Sequence, residues 1–190
     1  NPSVRWEYCN PEAGSTATSP PPPKPPAPPP GSAPPQIAGG QAGGENVVYW
    51  INGQKELMWN RHSGSKDGAA TWSAPGGKKV GSGWSFWQVM VGVDGSLISI
   101  DTAGVMRWYR HDGRADGSSG WGPGTGKQIN SGWNMFVEVI AGGPGVIYGR
   151  KANGELVWYR FKGTKDGSMN WDAPKPLGTG WEIFKKILGG

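Results

Sequence analysis

Three stretches of sixteen residues decide the fold, because they repeat one pattern at fixed offsets. They are LMWNRHSGSKDGAATW at 57–72, MRWYRHDGRADGSSGW at 106–121 and LVWYRFKGTKDGSMNW at 156–171. Each continues into a block with a Gly-Trp pair: GSGWSFWQVMVG, NSGWNMFVEVIAGG and GTGWEIFKKILGG. The first tryptophans of the stretches, Trp59, Trp108 and Trp158, lie 49 and 50 residues apart. The chain therefore contains three tandem units of about 49 residues.

Each unit predicts four short strands. In the third unit VIYGRK alternates in the manner of a strand, ends at Ala152-Asn153-Gly154, and is followed by the strand ELVWYRF. The corresponding turns, Asn52-Gly53-Gln54 and Thr102-Ala103-Gly104, each contain a glycine that can adopt positive φ. An Asp-Gly loop, a third strand at the tryptophan and a fourth, apolar strand complete the unit. This predicts an all-β fold of three four-stranded antiparallel β-propeller blades at about 45–93, 94–143 and 144–190.

Composition agrees with many short strands joined by tight turns. The 190 residues include 34 Gly, 18 Pro and 12 Trp, and no stretch has sustained helical periodicity. The net charge of +5 is dispersed, so the basic stripe typical of nucleic-acid binding is missing. No apolar run of about 20 residues occurs, so the sequence predicts no membrane span.

The sequence before the repeat is of a different kind. Residues 14–44 are rich in proline and glycine and predict an extended polyproline II linker. A spacer is the favoured role, with docking to an aromatic groove and glycosylation or hydroxylation as alternatives. Residues 1–13 hold Cys9, the chain's one cysteine, so no intrachain disulfide is possible.

The repeat resembles the tachylectin-type propeller lectins. The second unit matches best, with WYRHDGRADGSSGW followed by SGWNMF, while the third has Phe161 for the histidine and Glu182 for the asparagine. The resemblance implies an extracellular lectin without cofactors that binds N-acetylglucosamine or N-acetylgalactosamine between neighbouring blades. It also implies five blades. Because three repeats are present, either the sequence is a fragment of a longer protein or closure comes from another copy or from further blades. We expect self-association that completes the propeller or covers its open edges.

The first ten residues, NPSVRWEYCN, resemble the last strand of a kringle domain. The resemblance implies that Arg5, Trp6 and Tyr8 would line part of a lysine-binding groove. The remaining kringle sequence is absent, including the cysteine partners. We therefore expect a remnant rather than a working kringle, in which Cys9 is unpaired or pairs with another chain.

A sugar site needs planar hydrogen-bonding groups beside an aromatic face. Repeated residues of these types are the candidate sugar-binding set: Arg61, His62, Asp67, Trp84, Arg110, His111, Asp116, Trp133, Asn134, Arg160, Asp166 and Trp181. Structural roles compete with this interpretation. Repeated tryptophans also pack between sheets, repeated aspartates also cap turns, and the Arg and Asp sets also suit a salt bridge within each blade.

The sequence predicts no enzyme. It has no His/Cys cluster with metal-ligand spacing, no GxSxG and no GxxxxGK[ST], and its two histidines belong to the repeat. No metal or cofactor is expected. The alternative function is a structural subunit of an extracellular fibre or matrix, in which the N-terminal segment and the linker join neighbouring subunits.

Overall fold

The computed structural model describes residues 37–38, 46–92 and 95–189, which all lie in a compact unit at Gly31–Gly190. The kringle-like segment lies outside these residues, as does the Pro-rich linker except for Ile37 and Ala38. The predictions made for those two segments therefore stay predictions.

The described residues form short strands and 3₁₀ turns. The strands are β1 Ile37–Ala38, β2 Val47–Ile51, β3 Leu57–Arg61, β4 Lys78–Gly81, β5 Gln88–Val91, β6 Ser96–Ile100, β7 Met106–Arg110, β8 Lys127–Asn130, β9 Phe136–Ala141, β10 Val146–Lys151, β11 Leu156–Arg160 and β12 Lys175–Gly178. The 3₁₀ turns are Asp112–Ala115, Trp133–Met135 and Trp181–Ile183. The all-β prediction is confirmed.

The strands form three sheets. The first sheet is β2-β3-β4, the second is β5-β6-β7-β8 and the third is β9-β10-β11-β12, all antiparallel. The two-residue strand β1 pairs with β5 in parallel at the edge of the second sheet. The second and third sheets thus have the four antiparallel strands expected of blades, and the first has three within the described residues.

The hydrogen-bonded sheets are offset from the sequence repeat. The apolar strand that follows the Gly-Trp pair does not join the sheet of its own unit: β5 pairs with β6, and β9 pairs with β10. This apolar strand is therefore the last strand of one sequence unit and pairs into the sheet formed by the next unit. The third strand predicted for each sequence unit also differs from its prediction. It lies after the tryptophan, and Trp72, Trp121 and Trp171 form only isolated bridges.

Two of the three predicted glycine turns are confirmed. Gly104 and Gly154 both adopt a φ of 79°. In the first unit the prediction for Gly53 is wrong, because Lys55 takes the left-handed conformation with a φ of 60°. The turn there closes through a hydrogen bond from the N–H of Lys55 to the carbonyl of Asn52. The residue with positive φ is therefore the one that follows the predicted turn Asn52-Gly53-Gln54.

The core lies between the sheets rather than within one of them. Trp59 of the first sheet and Leu97 of the second belong to one apolar cluster. Trp108 of the second sheet and Ile147 of the third belong to another. All four side chains are at most 2% exposed. Neighbouring sheets therefore pack face to face and create two junctions, which position the loops described next.

Candidate functional site

Two tryptophans form hydrogen bonds across the first junction, between the first and second sheets. The indole N–H of Trp59 donates to the carbonyl of Arg114 at 2.9 Å. In the opposite direction, the indole N–H of Trp121 donates to the carbonyl of Val80 at 2.8 Å. Each sheet therefore supplies one donor and one acceptor. Buried indoles need such partners, because an unpaired polar group is costly to desolvate.

The second junction repeats this arrangement. Trp108 donates to the carbonyl of Thr164 at 3.0 Å, and Trp171 donates to the carbonyl of Ile129 at 3.0 Å. The four residues occupy the positions of Trp59, Arg114, Trp121 and Val80 one unit later. The junction is thus a structural repeat in its own right.

Glycines of the Asp-Gly loops receive the first tryptophan of each preceding sheet. A Cβ atom at Gly117 would lie 2.2 Å from the Trp59 ring, and one at Gly167 would lie 2.6 Å from the Trp108 ring. Both glycines also have positive φ, 73° and 66°. The loops require glycine for both reasons.

The predicted arginines also tie neighbouring loops together. Arg61 donates to the carbonyl of Ala115, and Arg110 donates to the carbonyl of Lys165 at 3.2 Å. The carboxylate that Arg110 contacts is Asp112, at 2.8 Å, and not the repeated aspartate Asp116.

The predicted aspartates shape their own loops. One carboxylate oxygen of Asp67, Asp116 and Asp166 accepts the backbone N–H two residues further on, at 2.9–3.0 Å. These bonds lower the pKa of Asp116 and Asp166, with the N–H of the following serine as the largest cause. The geometry is that of an Asx turn, which is the turn-capping role left open by the sequence.

His111 is fully buried at the first junction. Its Nδ1 lies 2.8 Å from the hydroxyl of Tyr49, and its Nε2 lies 2.7 Å from the carbonyl of Ser118. Because a carbonyl only accepts, Nε2 carries the proton and Nδ1 accepts from Tyr49. Burial lowers the pKa of His111, which keeps the ring neutral. By contrast, His62 is half-buried and stacks on Trp72 at 4.6 Å.

Trp84 and Trp133 lie in the core. They are 5% and 2% exposed and pack against aromatic rings, Tyr109 at 4.8 Å and Tyr159 at 4.7 Å. Their ring faces are therefore covered by protein. Trp181 is half-buried beside Phe184.

A pocket of about 380 Å³ opens between the second and third sheets. It is lined by Trp87, Thr102, Asn134, Phe136 and Val137. Trp87 is 36% exposed and Asn134 is exposed. The pocket thus joins an open indole to an amide and a hydroxyl.

A second, charged cleft of about 490 Å³ lies at the same junction. Its lining residues are Arg110, His111, Asp112, Arg114, Thr164 and Lys165. The lining contains three cationic side chains and one carboxylate, so the cleft can contact an anionic group.

Comparison with known families agrees with this repeat architecture. A family model described as Tachylectin matches residues 41–189, most of the chain. The chain belongs to the tachylectin family. This is a family of carbohydrate-binding lectins. No curated protein is significantly similar to the chain in sequence.

The predicted tachylectin-type site residues do not form one group. Arg110 and His111 border the charged cleft, and Asn134 borders the neutral pocket. The third-unit residues Arg160 and Asp166 are exposed on the last of the three sheets.

Sequence comparison of the units aligns Trp87 with Phe136 and Phe184, and neither Trp87 nor Thr102 entered the candidate set, because neither residue type recurs. The sequence signal that could have identified Trp87 is that the first unit has a tryptophan where the other two units have a phenylalanine. Phe86 packs against Trp84 at 5.6 Å as Phe136 packs against Trp133 at 5.4 Å, so Phe86 rather than Trp87 takes the position of Phe136.

Within the ranges that the structure describes, no three His, Cys, Asp or Glu side chains are grouped for metal binding in this tachylectin-family chain. The same part of the chain has no helix with the length and apolarity to cross a bilayer.

Proposed function

We propose that the chain binds N-acetylated amino sugars outside the cell, in the pocket of Trp87, Thr102, Asn134, Phe136 and Val137. The observation that carries this proposal is the exposed indole of Trp87 in one pocket with an exposed amide and a hydroxyl. Membership of a family of extracellular-type lectins supports the substrate class and the location.

The lining suits both faces of such a sugar. A pyranose ring presents C–H groups that pack on an aromatic face, and its hydroxyls need donors and acceptors. The amide of Asn134 both donates and accepts, which matches an acetamido group. Val137 offers apolar contact to its methyl group, whereas Phe136 is buried, at 4% exposure. Val137 is 51% exposed, so this apolar surface is open.

The charged cleft is a weaker candidate for a neutral sugar. Arg110 already contacts Asp112 and the carbonyl of Lys165, so its donors are partly used within the protein. The cleft suits a carboxylate or sulfate group of a glycan better than a neutral ring, because hydrogen bonds between a cationic side chain and an anion are stronger than those to a neutral group. Binding there would depend strongly on salt.

Isothermal titration with N-acetylglucosamine and N-acetylgalactosamine tests the proposal, with glucose as the sugar lacking the acetamido group. We expect saturable binding of an N-acetylated sugar, weak or no binding of glucose, and loss of binding in Trp87→Ala. The matched control is Met169→Ala, which removes an apolar side chain that is 67% exposed outside the pocket. Equal binding by Trp87→Ala and Met169→Ala would reject the pocket.

A second candidate function is a structural subunit of an extracellular assembly. Apolar side chains at the two outer faces of the three-sheet array favour it, since Val48 is 42% and Leu177 is 50% exposed. Titration separates the two candidates: a purely structural subunit binds none of the sugars.

A further inference from the structure

The first and the third sheet each have one face that no other described sheet covers. Together, these two outer faces carry the residue types that meet at a junction between neighbouring sheets. At the junctions themselves, Leu97 and Ile147 face the preceding sheet and are 0% and 2% exposed. Val48 occupies the same register position in the first sheet, opposite Asn60 as Leu97 is opposite Tyr109, yet it is 42% exposed. An apolar residue thus stands where a preceding sheet would cover it.

The opposite face shows the complementary pattern. Val80 and Ile129 face the following sheet and are 2% and 0% exposed. Leu177 holds the equivalent position in the third sheet and is 50% exposed. The outer face of the third sheet is therefore built like a face that another sheet covers.

The tryptophan contacts are also left half complete. Trp158 corresponds to Trp59 and Trp108, and Trp72 corresponds to Trp121 and Trp171. Within the described residues the indole N–H groups of Trp158 and Trp72 make no hydrogen bond. Trp72 is 43% exposed.

A matching space exists in the first unit. Gly68 corresponds to Gly117 and Gly167, which receive the rings of Trp59 and Trp108. A Cβ atom at Gly68 would meet nothing within 4 Å. The first unit thus has the space above Gly68 in which a tryptophan ring could pack, and no described residue fills it.

The residue pairs that meet across the junctions are matched in polarity. At the first junction Tyr49 binds His111. At the second, the equivalent positions are both apolar: Ile98 packs in the same cluster as Phe161. Two equivalent positions lie on the outer faces and have no partner sheet among the described residues. They are Tyr148, opposite Trp158, and His62, bridged to Trp72. They again form a tyrosine–histidine pair.

The ring of His62 is already oriented for this pairing. Its Nε2 lies 2.8 Å from the carbonyl of Ala69, as Nε2 of His111 lies 2.7 Å from the carbonyl of Ser118. Nε2 therefore donates, and Nδ1 is the acceptor, as it is in His111.

We propose that the third sheet of one copy packs on the first sheet of a second copy and repeats the junction. Tyr148 then donates to Nδ1 of His62, and the ring of Trp158 packs on Gly68. The indole N–H of Trp158 donates to the carbonyl of Ser65, and that of Trp72 donates to the carbonyl of Leu177. The interface is heterologous, and two copies supply six sheets, one more than the five blades that the family resemblance implies and within the four to eight blades of closed propellers. This inference stands whether or not the pocket binds sugar.

Light scattering over a concentration series tests the interface on the 190-residue chain. We expect a mass of twice 20.2 kDa that falls toward one copy on dilution. Gly68→Asn should abolish the dimer, because asparagine tolerates the positive φ but fills the space in which the Trp158 ring would pack. The control is Gly124→Asn, since Gly124 has a φ of 75° and equally open surroundings. A chain that is monomeric at all concentrations, or equal effects of the two variants, would overturn the proposal.

A compensating pair makes the test specific to residues. Tyr148→Ile and His62→Phe should each weaken dimerisation about tenfold, since each leaves one polar partner unpaired. The double variant should recover most of the affinity, because it recreates the pair Ile98 and Phe161 of the second junction. Additive losses in the double variant would contradict the proposed contact.

Discussion

The hydroxyl of Tyr49 lies 2.8 Å from Nδ1 of His111, and this bond joins the first sheet to the second across 62 residues of sequence. The rings meet edge to face at 5.6 Å. Burial raises the pKa of Tyr49 and lowers that of His111, so both groups stay neutral at physiological pH. One junction is thus fixed by a polar pair inside an apolar cluster, and this pair makes its stability depend on pH.

The free energy of unfolding should fall as the pH drops below about 6.5. His111 has a lowered pKa in the folded state because of its burial, which outweighs the opposing effects of the Ser118 carbonyl, Asp112 and Asp116. The unfolded chain therefore binds more protons in this range, and protonation favours unfolding. Urea denaturation between pH 5 and pH 8 measures the effect.

The control is the double variant Tyr49→Ile/His111→Phe, which places the pair Ile98–Phe161 of the second junction in the first. Its stability should vary less over the same pH range. If the wild type and this variant show the same pH dependence, the titrating group lies elsewhere.

Replacing Trp133 should mainly reduce stability, whereas replacing Trp87 should mainly reduce sugar binding. Trp133 is 2% exposed, so Trp133→Ala should lower the free energy of unfolding by about 3–5 kcal/mol. Trp87 is 36% exposed, so Trp87→Ala should cost about 1 kcal/mol and still remove binding. Urea denaturation and titration of both variants check this. A large stability loss in Trp87→Ala would show that this residue is mainly structural.

Gly104 should support the pocket through Asn134. Its φ is 79°, and a Cβ atom there would lie 2.5 Å from the backbone nitrogen of Asn134. Gly104→Ala should cost about 1–2 kcal/mol and weaken sugar binding by displacing Asn134. Gly154→Ala is the matched control, since Gly154 has the same φ but its Cβ atom would meet Glu182. Equal loss of binding in both variants would argue against this role of Asn134.

Glu138 should hold the last residues of the chain against β9. It is 7% exposed and accepts from Arg150 at 3.1 Å, Lys186 at 2.9 Å and the N–H of Ile187 at 3.3 Å. Burial acts to raise its pKa, but Lys186, Ile187 and Arg150 outweigh burial and lower it. The stabilisation is therefore present above the ordinary glutamate pKa and is lost as the pH falls.

Glu138→Gln should cost about 2 kcal/mol, because it replaces charge-assisted bonds with neutral ones. Amide hydrogen exchange at Ile187 should become faster in this variant. Unchanged exchange at Ile187 would mean that other contacts hold this segment.

The strands were predictable from the sequence because their signal is local. Alternation, glycine turns and a repeat of about 49 residues indicated β-strands such as β10 and β11. Strand pairing was less accessible, because it depends on contacts between units. Nothing local in WQVMVG shows that β5 pairs with the strand after it, β6, instead of joining the first sheet.

The site was only partly predictable for a related reason. Repetition identifies residues that every unit needs, and these are mainly buried junction residues such as Trp108 and Trp133. Both are at most 2% exposed in the structure. The proposed sugar pocket depends on Trp87 and Thr102, which occur in one unit only, so a search for repeated residues passes over them.

The most direct test of sugar binding is the indole N–H region of a ¹H–¹⁵N correlation spectrum during titration with N-acetylglucosamine and N-acetylgalactosamine. The chain has 12 tryptophans, and Trp87→Phe assigns the signal of Trp87. The account predicts that at least one of the sugars shifts the Trp87 signal saturably while the signals of the buried Trp84 and Trp133 move little. A Trp87 signal that stays unchanged with both sugars, or shifts confined to other tryptophans, would contradict it.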